Sequence, residues 1–237
     1  MTHLGKTAIV LGMGQLKLAL AQFAWGGRRK GAGRKPTSPG HRMPHRIRPW
    51  HDKSLPLHVT LRVVGGLRSL RDKDLTVAIG ESFRALVGSE RAKRFRICAF
   101  SLQTDHVHLL VEASNREALS KGMRSVTIRI AKAVNRTLGR RGKVVQDRFH
   151  VHVLKTPMDV RNALVYVFFN CFKHRVRQGE IENGLDCRSS AAWFPGWTHV
   201  RPLTARPPVS PAETWLRGTG WTMHGLLRRW ERPAAVR

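Results

Sequence analysis

Apolar and polar residues alternate along Leu57-His58-Val59-Thr60-Leu61-Arg62-Val63-Val64, and the pattern stops at Gly65-Gly66. Successive side chains of a strand point to opposite faces, so this stretch predicts a half-buried strand. Val59, Leu61 and Val63 would share one face, and His58, Thr60 and Arg62 the other. Over residues 72–86 the period lengthens: Leu75, Ile79, Phe83 and Leu86 recur at helical spacing, acidic residues come first, and Gly88 follows. These are helix start and stop signals. Residues 95–102 and the stretch leading into His106-Val107-His108-Leu109-Leu110-Val111 read as two strands joined by a short polar turn, a hairpin. Asn115 is placed to cap a long helix that carries Leu119, Met123, Val126, Ile130 and Val134 to Leu138, with Gly139 ending it. Residues 144–154 read as a fourth strand. Pro157, favoured in a first turn, opens a last helix expected to reach about Arg177.

Strand–helix–strand–strand–helix–strand is the α+β, ferredoxin-like (split βαβ) plan: an antiparallel sheet with helices on one face. The last helix is additional and free to cover the other face or an edge. In the usual order of that plan the fourth, first and third strands are neighbours. One face would then carry Val59, Leu61, Val107, Leu109, Val111, Val151 and Val153, and the other His58, His106, His108, His150 and His152. A plain core does not call for a histidine-lined face, so this one reads as a site. His106 and His108, two apart on a strand, project the same way about 7 Å apart, close enough to share one cation.

The last helix carries the chain's single tyrosine, Tyr166. At about 100° per residue, Asn162, Tyr166, Asn170, Lys173 and Arg177 fall on one polar arc, while Leu164, Val165, Phe168, Cys171 and Phe172 fill much of the other side. Asn170 lies one turn beyond Tyr166, so the two side chains are neighbours. This places the tyrosine among amides and cations, away from the apolar stripe.

Charge changes the picture most. Among 237 residues, 43 Lys+Arg stand against 15 Asp+Glu, a net +28. Such an excess calls for a polyanion, and nucleic acid is the expected partner. A membrane surface fits less well, because the arginines are spread along the chain. The apolar stretches of residues 1–25 are interrupted by Lys17 and fall short of a spanning helix. With 41% hydrophobic residues there is enough apolar material for one ordinary domain with tails. Cys98, Cys171 and Cys187 are odd in number and far apart, which indicates neither a disulfide framework nor a zinc knuckle and fits a reducing cytoplasm. The expected layout is a disordered leader over 1–25, a basic DNA-binding arm over 26–54, a catalytic domain over 55–179, and a Trp/Arg/Pro-rich tail over 180–237. In the arm, Arg28, Arg29, Lys30, Arg34 and Lys35 sit in a Gly-rich run without apolar periodicity, suited to extended contact with DNA. Arg148 and Lys173 are further candidates for the DNA backbone.

The His-Val-His strand followed by Tyr166-Val-Phe-Phe-Asn170 on a later helix resembles the HUH single-tyrosine transposases, and among them the REP-associated tyrosine transposases. Gly26–Pro36, His58-Val-Thr-Leu-Arg-Val63, Asp105-His-Val-His-Leu-Leu-Val-Glu112 and Asp147-Arg-Phe-His150 carry the resemblance further. It implies a divalent cation, Mg²⁺ or Mn²⁺, held by His106, His108 and Asn170, with Tyr166 as nucleophile. It also implies nicking and transfer of single-stranded DNA beside hairpins of repetitive palindromes, through a 5′-phosphotyrosine. A cytoplasmic, nucleoid-associated protein, monomer or homodimer, would follow. His58, His150 and His152 receive no ligand role from the resemblance, and surface packing, proton transfer and phosphate contact stay open for them. Two other classes remain: a non-catalytic hairpin DNA- or RNA-binding module with an RRM-like sheet, which would need aromatics on its open face, and a metal-dependent hydrolase without a covalent step, which would not need Tyr166.

Overall fold

In a computed structural model the described residues are 52–173, 179–231 and 233, the Lys173 side chain excepted. The leader and nearly all of the basic arm, including Arg28, Arg29, Lys30, Arg34 and Lys35, lie outside them, as does the expected helix end near Arg177. The alternating stretches form β1 (Leu57–Arg62), β2 (Phe95–Leu102) and β3 (His106–Ala113), and the helical ones form α1 (Lys73–Arg84) and α2 (Arg116–Thr137). β4 (His150–Val153) and α3 (Pro157–Phe169) follow. The sheet runs β2-β3-β1-β4 with every neighbouring pair antiparallel. This is the split βαβ order expected from the sequence.

Period two decides which side chains meet. Leu57, Val59, Leu61, Val107, Leu109 and Val111 turn to one face and pack with Leu75, Ile79 and Phe83 of α1 and Met123, Val126 and Ile130 of α2. Asn115 caps α2 through its side chain, which accepts from the Ala118 N–H at 2.8 Å. On the other face Ala99 and Leu110 pack with Val160, Leu164, Val167 and Phe168 of α3. The register sets Thr60 opposite His108 on β3 and His150 on β4, and His58 opposite Leu110 and His152. The histidines therefore share the α3 side of the sheet.

Two expected boundaries are corrected. The fourth strand is four residues, His150–Val153, not 144–154. Val144 and Gln146 still bond to the continuation of β1 (Val64 N–H to Val144 O, Gln146 N–H to Arg62 O). At Asp147 the carboxylate accepts the neighbouring Arg148 N–H instead, and the chain leaves the ladder until His150. The last helix ends at Phe169, and Asn170–Lys173 tightens into a 3-10 turn. Along its polar arc burial deepens toward the C-terminal end: Asn162 is exposed, Tyr166 half-buried, and Asn170 buried.

A second layer covers α3. β5 (Ile181–Glu182), β6 (Leu185–Asp186) and α4 (Trp215–Gly218) belong to a C-terminal segment whose Leu185, Phe194, Trp197, Leu216, Trp221 and Leu227 complete the α3 core. Two charged clusters tie it down. Arg71 donates through its Nη atoms to Asp186 at 2.9 and 3.0 Å, through Nε to Glu180 at 3.0 Å, and to the Leu102 carbonyl at 2.9 Å. The Glu112 carboxylate accepts from the Glu213 and Thr214 N–H groups and the Thr214 hydroxyl. Trp197 and Trp221 are buried, whereas Trp215 and Trp230 are exposed. No helix of the described residues is long and apolar enough to cross a membrane.

Candidate active site

His106 and His108 leave the same face of β3, their rings nearly perpendicular with centroids 4.7 Å apart. The Nδ1 of His106 lies 2.7 Å from Asp105 Oδ1. This hydrogen bond holds the Asp105 carboxyl below its ordinary range, against the opposing pull of partial burial. An ionised carboxylate only accepts, so Nδ1 carries the proton and a neutral ring keeps its lone pair at Nε2.

His108 is buried, and both of its nitrogens are addressed. Nδ1 lies 3.2 Å from Thr60 Oγ1 and 3.2 Å from His58 Nε2, while Nε2 lies 3.4 Å from the side-chain amide of Asn170. When Nδ1 donates to either β1 partner, Nε2 presents a lone pair toward Asn170. The amide can present oxygen or nitrogen there by rotating about its last bond. Asn170 is positioned by the end of α3, its N–H returning to the Tyr166 carbonyl. The entry of α3 is fixed by a capping box: Thr156 accepts from the Asp159 N–H and Asp159 from the Thr156 N–H.

Tyr166 stands edge-on to His108, centroids 5.0 Å apart at 82°, and to His58 at 5.6 Å and 64°. Tyr166, Asn170, His106 and His108, read from two distant stretches of sequence, thus gather where α3 crosses the sheet. Arg148 is half-buried on the bend before β4, and His150 and His152 are exposed on β4 itself.

Three residues of this cluster carried no assigned role in the sequence: His58, Thr60 and Asp105. His58 stacks against His108 with centroids 5.2 Å apart. Burial, with a smaller push from His152, lowers its pKa to about 4, so it is neutral at pH 7. The expected strand order already set β1 beside β3 and His58 on the histidine face; the contact with His108 is what the structure adds.

Among the described residues no set of three or more His, Cys, Asp and Glu side chains is gathered as a cation centre. The expected ligands are two imidazoles and an amide, and their chemistry fits a divalent ion. Each ring has its Nδ1 engaged by a neighbour, the arrangement that orients metal-binding histidines. Three neutral donors also leave positions for phosphate oxygens and water. Thiolate chemistry does not compete, since burial pushes the Cys171 thiol up to about 12 and Cys98 higher still.

No curated protein matches the chain. Among solved structures, a REP-associated tyrosine transposase bound to a REP hairpin is similar at 18% identity, over 56% of this chain and 74% of that one, with a TM-score of 0.43. Residues 68–157 match the family model described as IS200-like transposase. That span holds His106, His108, His150 and His152 and stops before Tyr166 and Asn170. Through the part of the fold that carries the histidine pair, the chain is similar to the IS200-like transposases, the wider group to which its motifs pointed.

Proposed function

We propose that this protein is a DNA transposase and single-strand endonuclease that nicks and rejoins DNA beside hairpins through a 5′-phosphotyrosine on Tyr166. The observation that carries the reading is the meeting of the chain's single tyrosine with His106, His108 and Asn170. In this reading His106, His108 and Asn170 hold Mg²⁺ or Mn²⁺. The ion, when bound, supplies Lewis-acid stabilisation of charge on the scissile phosphate.

The rest is done by the chain. Tyr166 Oη attacks phosphorus and the bond to the 3′ oxygen breaks; the phenol proton leaves to water and the departing oxygen takes one from water. The products are a 5′-phosphotyrosine and a free 3′-OH, so the phosphodiester energy is kept for rejoining. α3 contributes rigidity: both faces of the helix are packed, so the phenol approaches the phosphate from a fixed direction. The net charge of +28 draws the polyanion in.

The reading as a non-catalytic RRM-like module is less well supported. It needs an open sheet face with stacking aromatics, whereas α3 packs on β2 and β3 and the remaining face carries histidines. Incubation with labelled single-stranded hairpin DNA and Mn²⁺ separates the two. The wild type should yield a denaturation-resistant protein–DNA adduct and Tyr166→Phe none. His106→Ala and His108→Ala should lose roughly 100-fold or more of the cleavage rate. Normal cleavage by Tyr166→Phe would contradict the covalent mechanism and leave a metal-dependent hydrolase.

A further inference from the structure

The C-terminal segment places Trp197 and Trp221 in the α3 core and keeps Trp215 out of it. Trp215 is 60% exposed, yet its position is fixed. Thr214 before it donates to the buried Glu112 carboxylate through its N–H at 3.1 Å and its hydroxyl at 2.8 Å. The Trp215 carbonyl accepts the Thr219 N–H at 2.8 Å. The six-membered ring of the indole lies against Gly220, where a side chain would meet it at 2.7–3.0 Å. Backbone thus supports one side of the ring, as only glycine allows at so close an approach. Trp215 also lines a groove of 330 Å³, large enough for a flat ring to lie in.

The other walls of the groove are charged. Lys53, Lys93, Arg94 and Arg96 line it, together with Glu112 and Glu213. Arg96 answers both carboxylates: its guanidinium pairs with Glu213 and lies 3.9 Å from Glu112. Lys93 pairs with Glu90 at 2.8 Å. Lys53 and Arg94 are exposed on the rim. Lys53 also belongs to the basic stretch 26–54, so that stretch joins the fold at this groove. An open, supported aromatic ring flanked by exposed cations matches the two parts of a nucleotide: a base to stack and a phosphate to neutralise.

We propose that Trp215 is a stacking platform for a base of single-stranded DNA, with Lys53 and Arg94 meeting the flanking phosphates. Every base has a π face, so the contact holds the strand whatever its sequence. Ala113 and Ser114 line the groove at the end of β3, and six residues of strand put Ser114 about 20 Å from His108. A base held there lies several nucleotides from the scissile phosphate, so the platform anchors the strand and takes no part in the chemistry. This rests on the reading of the chain as a single-strand DNA transposase.

Binding without any divalent ion tests it apart from cleavage. The probes are oligo-dT and an abasic strand of equal length, which keeps the phosphates and lacks the bases. The wild type should prefer oligo-dT. Trp215→Ala should bind oligo-dT roughly tenfold more weakly, bind the abasic strand as the wild type does, and melt as the wild type does. Trp215→Phe should recover most of the loss. Lys53→Gln with Arg94→Gln should weaken both strands and flatten the salt dependence. Unchanged oligo-dT affinity in Trp215→Ala, or an equal loss on both strands, would overturn the platform and leave the transposase reading standing. So would a dimer that Trp215→Ala dissociates with DNA binding intact, which would assign the ring to a contact between copies of the chain. Failure of the wild type to bind either strand would overturn both.

Discussion

Two imidazoles serve one cation only if each ring is held by one nitrogen and offers the other. Asp105 does this for His106, and Thr60 with His58 does it for His108. The expected consequence is that Asp105→Asn and Thr60→Val weaken Mn²⁺ binding by roughly 10–100-fold while the fold stays intact, measured by titration of the free ion. An unchanged affinity in both would remove the ion from this pair. Sequence alone made His106 and His108 legible because the His-x-His spacing fixes their common face whatever the fold. Tyr166 was legible from its singleness and from Asn170 one turn on. His58 was legible as a member of the histidine face once β1 was expected beside β3, but its contact with His108 was not, since strand order sets a shared face and leaves side-chain partners open.

Elements were legible where one face of the pattern is buried, because a slip by one residue would turn the whole apolar set outward. β1 obeys this rule, whereas β2 and β3 are buried on both faces and are legible instead as two short apolar runs with a polar turn between them. β4 is the exception: Asp147 offers its neighbour's N–H a side-chain acceptor, so the chain bends away where alternation alone predicts a continuous strand. The end of α3 was misread for another reason. The C-terminal segment packs over α3, and beyond Phe169 the chain tightens into a 3-10 turn that the apolar period does not mark. Since α3 carries both Tyr166 and Asn170, its entry angle matters to the site. Thr156→Ala, which removes half of the capping box, should cost about 1 kcal/mol in denaturant unfolding. A larger loss of nicking than of stability would show that the cap also aligns the helix.

For the whole molecule, the C-terminal segment is structural as well as peripheral in sequence. It supplies Trp197, Trp221 and Phe194 to the α3 core and is clamped by Arg71 through Asp186 and Glu180. Removing one partner of a buried ion cluster strands the other charge, typically at about 3–5 kcal/mol. Glu180 still faces Arg71 in Asp186→Asn, so about 2–3 kcal/mol and a lower melting temperature are expected there. Composition marked residues 180–237 as a Trp/Arg/Pro-rich tail, yet no periodicity marks residues 180–231. Their order comes from long-range pairs such as Arg71 with Asp186, which have no local signature.

The central claim is that Tyr166 becomes covalently joined to DNA. Wild-type protein reacted with single-stranded hairpin DNA and Mn²⁺, then digested with nuclease and protease, can be mapped by mass spectrometry. A nucleotide 5′-phosphate on the peptide that holds Tyr166 is the predicted result. Cleaved DNA with every copy of that peptide unmodified, or with the nucleotide on another residue, would contradict it.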